Sequence, residues 1–203
     1  PLLASYETAD SVTWVYTIEP GMTWSDGEPV TAEDILFTLE YDDANGSANF
    51  VSQTDEDGKT TEAKYASYEL SSDAMSISLT LTSANVRELS NMTSFRVMPK
   101  HIYEGKDSVT DDESRVTCGP YVLESFNKEA GTLTFVPNPY YPQEPNVGKI
   151  VYRLFGNEDT MYLALQQGDL DMTWAYSAGV SGSYQDVLAA TDTLTLEAVT
   201  AAN

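Results

Sequence analysis

The sequence predicts an α/β protein with α+β character in its first half, built from mixed sheets with packed helices. Three observations predict it. Residues 12–18 and 75–82 alternate apolar and polar side chains, the period of strands with one buried face. Residues 31–39 and 157–167 place apolar side chains at helical spacing behind capping residues. An apolar run at 150–155 precedes the second of these helices, the strand–helix order of a layered α/β domain.

Each element has its own signal. Val12, Trp14, Tyr16 and Ile18 form the apolar side of the first strand, which Pro20 and Gly21 end. Trp24 to Pro29 reads as a turn around Asp26-Gly27. Thr31 caps a helix, with Asp34 three residues on as a short capping box and Val30 and Ile35 as a hydrophobic staple. Ile35, Leu36 and Leu39 supply its apolar face, joined by Phe37, and Asp42 to Gly46 stop it. Residues 45–64 are polar, with a hairpin tip at Asp55–Lys59. Met75, Ile77, Leu79 and Leu81 define the next strand, with 65–70 as its neighbour. Residues 86–102 are helical in part, bounded at Pro99, and 104–115 form a charged loop. A hairpin at 121–136 follows, turning near Lys128–Gly131. The nearly continuous apolar run 150–155 predicts a strand buried on both faces. Asn157 caps a helix that Gly168 closes, and Asp169 to Trp174 returns to extended structure. Residues 185–190 predict a last helix, followed by a strand at 194–198. The two halves meet near residues 104–117.

Composition narrows the function. Ten basic residues face 32 acidic ones, a formal charge of −22. Such a field repels nucleic-acid phosphates and anionic membranes, so no polynucleotide partner is expected. It fits the solvated surface of a secreted or salt-adapted protein. No apolar run approaches the roughly eighteen residues that cross a membrane. The lone cysteine, Cys118, cannot form an internal disulfide or a cysteine metal cluster.

Enzyme chemistry has little to stand on. The only histidine is His101, and no serine elbow, phosphate loop or zinc-protease motif occurs. Cys118 has no activating motif beside it. Asp55–Lys59 lacks the calcium-loop spacing, and Asp169 and Asp171 read as capping or wet-face residues. No catalytic residue, metal or cofactor is therefore expected. Asn45-Gly46-Ser47 and Asn91-Met92-Thr93 match the short glycan-acceptor pattern. Trp24, Trp174, Tyr176 and Tyr121 fall at turns or strand ends, where rings can either line a cleft or pack locally.

A series of landmarks then resembles one family. Tyr16 to Asp34, containing Trp24-Ser25-Asp26-Gly27-Glu28-Pro29-Val30-Thr31, resembles a signature of the family 5 extracellular solute-binding proteins, the peptide and nickel receptors of ABC importers. Met98-Pro99-Lys100-His101-Ile102, Gly119-Pro120-Tyr121, Asn138-Pro139-Tyr140-Tyr141 and Ala164-Leu165-Gln166-Gln167-Gly168-Asp169-Leu170-Asp171 resemble later landmarks in the same order. Cys118 departs from the pattern, standing where Thr or Ser is usual.

The resemblance implies a partial periplasmic-binding-protein-like type II fold. Residues 1–110 would form the small extra subdomain and its attachment, and 111–203 part of the large solute-binding lobe, with the distal lobe absent. It implies capture of a small peptide or related solute outside the cell membrane or in the periplasm. Delivery would be to ABC transporter permease subunits, from a parent anchored by lipid outside these residues. Trp174, Tyr176 and Tyr121 are the expected wall residues of the cleft. The competing expectation is a non-transport module on the same fold, binding proteins at the surface or acting as a peptide chaperone.

Overall fold

The computed structural model describes residues 2–93, 95–106, 115–173, 182–192 and 194–195. Within them the chain runs β1 (Leu3–Glu7), β2 (Thr13–Ile18), α1 (Ala32–Ala44), β3 (Gln53–Thr54), β4 (Thr60–Thr61), β5 (Tyr65–Leu70) and β6 (Ser76–Leu81). It continues through α2 (Glu88–Met92), α3 (Lys100–Tyr103), β7 (Tyr121–Asn127), β8 (Thr132–Pro137), β9 (Ile150–Arg153), α4 (Glu158–Gln166) and α5 (Gly182–Ala189). The strands form a four-stranded sheet in the order β1-β2-β6-β5, a β3-β4 ribbon and a three-stranded sheet in the order β7-β8-β9.

The chain divides into two compact units. One comprises residues 1–125 and 134–150, the other 126–133 and 151–203. The expected boundary near residue 110 lies in 107–114, outside the described residues.

The first unit is organised by its four-stranded antiparallel sheet. Trp14 pairs with Leu79 and Tyr16 with Ile77, so the two alternating patterns share one face. Tyr16, Ile18, Ile77 and Leu79 are almost wholly buried there, against Ile35 and Leu39 of α1. Ile18, Ile77 and Leu79 each contribute about 1.5–3 kcal/mol on leaving water. The opposite positions, such as Thr17 and Ser76, stay part-exposed and bond each other at 3.0 Å. Strand β1 carries no apolar alternation and four exposed residues, which is why it escapes a periodicity reading. Its place comes from pairing with β2, as in Tyr6 opposite Tyr16.

Helix α1 obeys its caps. The Asp34 carboxylate accepts from the Thr31 N–H at 2.9 Å, and Val30 and Ile35 are both buried as the staple requires. The helix runs to Ala44, so Asp42 and Asp43 belong to its last turn, and Asn45 forms the C-cap. The Asp55–Lys59 segment is the tip of the β3-β4 ribbon, with Asp55 accepting from the Asp57 and Lys59 N–H groups.

In the second unit, Asn157 caps α4 by accepting from Thr160 N–H at 3.0 Å. Tyr162 and Leu165 of α4 pack with Leu188 of α5, and the Tyr162 and Tyr184 rings lie 4.4 Å apart. Two expectations differ here. The apolar run at β9 is exposed rather than buried on both faces, with Val151, Tyr152 and Leu154 each more than half exposed. Composition encodes a demand for burial, but a covering layer must be supplied by tertiary packing, and no described residue supplies it. Residues 169–173 belong to no sheet ladder among the described residues, because a strand needs a hydrogen-bonding partner as well as an extended backbone. The strand expected at 194–198 lies mostly outside the described residues.

Candidate functional site

Four of the sequence landmarks meet in the first unit. Asp34, at the third helical position of α1, is 4 % exposed and accepts three hydrogen bonds. Its Oδ2 receives the Thr31 N–H and, at 3.3 Å, the Trp24 indole N–H. Its Oδ1 receives the Lys100 backbone N–H at 2.8 Å, which anchors the start of α3. One turn further, Thr38 donates to the Asp34 carbonyl and accepts from the Met98 N–H at 2.9 Å. One buried carboxylate thus ties the Trp24 turn, the α1 cap and the Met98–His101 segment together.

Outside this hub lies a charged shell. His101 Nε2 stands 2.8 Å from Asp26 Oδ2, and Lys100 Nζ stands 2.8 Å from Glu33 Oε2. Desolvation pushes the Asp26 carboxyl up. The His101 hydrogen bond, the Glu28 N–H and the His101 charge outweigh it and hold the carboxyl below the usual range. Glu28, Pro29, Thr31, Glu33, Asp34, Lys100, His101 and Glu104 surround a shallow depression. Its strongest polar groups are spent on one another, so His101 reads as a tie between landmarks rather than an acid–base catalyst.

The Gly-Pro-Tyr and Asn-Pro-Tyr-Tyr landmarks join the same assembly. Ser25 N–H donates to the Thr117 carbonyl at 2.8 Å, and Thr117 N–H returns to Ser25 Oγ. Asn138, 3 % exposed, donates from its side chain to the Gly119 carbonyl and from its backbone to Pro120. The Tyr140 ring lies against Gly27. A Cβ there would stand 3.3 Å from the ring, and Gly27 holds φ at +95°, so both space and backbone call for glycine. Thr23 Oγ1 donates to the Tyr140 carbonyl.

Among the expected wall residues, Tyr121 is half-buried at the start of β7, and its hydroxyl donates to the Val147 carbonyl at 2.9 Å. Trp174 and Tyr176 lie outside the described residues. Trp24, a cleft candidate by position, is 1 % exposed and packs in the core, so it lines nothing. Cys118 packs against that core, and burial, with the Asp34 charge adding to it, pushes its thiol up, so it is a poor nucleophile. Among the described residues no group of three or more His, Cys, Asp or Glu is placed to hold a metal ion. No helix among them is long and apolar enough to cross a membrane.

Sequence reading missed two buried acids. Asp34 was visible as half of a capping box, but its bond to Lys100 spans 66 positions and needs the fold. Glu88, fully buried, accepts from the Tyr65 hydroxyl at 2.6 Å and pairs with Lys64 at 2.9 Å. An isolated acid in a polar stretch carries no sequence signal of burial.

The chain matches the family model described as "Bacterial extracellular solute-binding proteins, family 5 Middle" over residues 1–195. It is 25 % identical over 179 residues to the oligopeptide-binding protein OppA of Bacillus subtilis, covering 82 % of this chain and 32 % of that one. Among solved structures it is similar to MoaA of A. tumefaciens R10 in complex with mannopinic acid, at 30 % identity and TM-score 0.65, over 84 % of this chain and 34 % of that one. It is likewise similar to the ABC transporter substrate-binding protein CtaP of Listeria monocytogenes, at 25 % identity and TM-score 0.65, over 83 % and 34 %. The chain spans about a quarter to a third of the length of the curated relatives it matches. These likenesses agree with a mixed α/β architecture of the periplasmic-binding-protein type II kind. By sequence, by the order of its landmarks and by fold, the chain belongs to the family 5 bacterial extracellular solute-binding proteins.

Proposed function

We propose that the chain serves in the extracellular or periplasmic capture of peptides or related small solutes for an ABC transporter permease. The observation that carries this reading is the family match across residues 1–195. The relatives' own names point the same way, one to oligopeptides and one to a complex with mannopinic acid. In such receptors two lobes close on the solute, and closure shifts a conformational population toward the form a permease reads. Residues 1–110 act as the small subdomain and its attachment, and 111–203 contribute one cleft wall. Tyr121, Trp174 and Tyr176 supply that wall's aromatic surface.

One wall cannot enclose a ligand, so the 203-residue chain binds solute at least about tenfold more weakly than a full-length receptor containing it. Calorimetric titration of both with a defined tripeptide and tetrapeptide mixture measures this, and equal affinities refute the one-wall reading. Native mass spectrometry of the receptor, purified without refolding, then identifies the carried solute. In that receptor Tyr121→Ala should weaken solute binding about tenfold, whereas Tyr121→Phe should change it little, because the hydroxyl serves Val147 and the ring serves the wall.

A further inference from the structure

A groove of about 470 Å³ lies along the outer side of β5, lined by Glu40 and Asp43 of α1, Phe50, Val51, Ala66, Ser67 and Tyr68. Three of its properties bear on what it takes. The first is an open sheet edge. Strand β5 is terminal in its sheet, and residues 66–69 are exposed. The chain itself begins to fill that edge: the Lys64 and Tyr65 N–H groups donate to the Ala48 and Asn49 carbonyls at 2.9 and 2.7 Å. No further backbone bond from residues 48–52 reaches Ala66–Leu70 among the described residues. The backbone beyond Tyr65 is a ready template for another extended strand.

The second property is an apolar floor. The Phe50 and Tyr68 rings meet edge to face at 5.3 Å, yet Tyr68 remains 45 % and Val51 59 % exposed. The third is unbalanced charge. Among the described residues no lysine or arginine pairs with Glu40 or Asp43. Asp43 is held in place by the Asn49 and Phe50 N–H groups, which fix its carboxylate beside the floor. The neighbouring Asp42 carboxyl is pushed up by burial and by the Asp43 charge. The chain shows the matching solution nearby: Lys64 lies 4.7 Å over the Tyr65 ring while its ammonium pairs with Glu88.

We propose that this groove binds an extended basic segment of a partner protein, which adds as a strand to β5 and lays an arginine or lysine across the Tyr68 and Phe50 rings toward Glu40 and Asp43. Edge pairing supplies backbone hydrogen bonds, and the aromatic floor with its acidic rim selects an alternating basic and apolar strand. A second copy of this chain fits poorly, because two molecules of charge −22 would oppose each other across the edge. The site is separate from Tyr121 and does not depend on solute capture.

The test uses a blocked heptapeptide of alternating arginine and valine, titrated into the 203-residue chain at low salt and followed by amide NMR shifts. Saturable binding is expected, with shifts concentrated at Phe50, Val51 and Ala66–Leu70. Glu40→Lys, an exposed change, should weaken it about tenfold, as should N-methylation of alternate peptide amides, which leaves the protein untouched. Val51→Lys is a second exposed variant expected to act in the same direction. Any of four results overturns the proposal: no saturable binding, equal binding of a glutamate–valine peptide, indifference to N-methylation and to Glu40→Lys, or shifts spread over the acidic surface. Concentration-dependent self-association through the same residues also overturns it, in favour of a second copy.

Discussion

At the scale of single residues, the informative side chains are acids with assigned partners. Removing the Asp34 carboxylate would strand three donors, the Trp24 indole and the Thr31 and Lys100 N–H groups. Asp34→Ala should therefore cost about 3 kcal/mol in urea denaturation, and Asp34→Asn less, since the amide keeps one acceptor oxygen. A loss under about 1 kcal/mol would show that the hub is dispensable. Ala74 offers the opposite case. It holds φ at +55°, a conformation that costs a residue with a Cβ about 1 kcal/mol, so Ala74→Gly should be neutral or stabilising despite glycine's greater unfolded entropy. Asp26 governs a pH effect. Its carboxyl is held below the usual range, so its contribution is full above the ordinary aspartate pKa and is lost as pH falls through the lowered folded value. Stability measured from pH 6 down to about pH 2.5 should fall less steeply in Asp26→Asn than in the parent. An identical slope would mean that His101 and Asp26 are uncoupled in solution.

At the scale of elements, patterning and partnership separate cleanly. Strands β2 and β6 and helix α1 were legible because each carries an apolar stripe, and the structure buries the centre of each, with Val12, Met75, Leu36 and Phe37 half-buried. Strand β1 was not legible, because its side chains are solvent-facing and only the β2 ladder makes it a strand. Strand β9 failed the other way: its apolar run is plain, and its burial is not met by any described residue. Of the site, the landmark order was legible, while the convergence of those landmarks on Asp34 and Asn138 was not. Hydrogen bonds such as Met98 to Thr38, 60 positions apart, leave no local trace in the chain. Helix α2 shows the same limit, since its buried Glu88 is stabilised by Tyr65 of β5 and by Lys64 just before that strand.

At the scale of the whole molecule, charge dominates. The 22 excess negative charges repel one another over distances that salt screens. Raising sodium chloride from roughly 0.05 to 0.5 M should raise Tm by several degrees, a change that thermal melts followed by circular dichroism would register. A falling Tm would mean that specific ion pairs such as Lys64–Glu88 outweigh the general repulsion. The same field repels nucleic-acid phosphates and attracts basic segments, the charge complementarity on which the proposal for the β5 groove rests.

The sequence by itself determined the class of elements, the caps of α1 and α4, the acidic character and the family, because period, capping chemistry and ordered landmarks are written locally along the chain. Only the tertiary structure decided what those landmarks do. It turned Trp24 from a candidate ring of the cleft into core, gave His101 to Asp26, packed Cys118 against that core, and made Asp34 the tie between segments far apart in sequence. The physical reason is that burial and hydrogen-bond partnership are properties of pairs of segments, and the chain specifies them only when it folds.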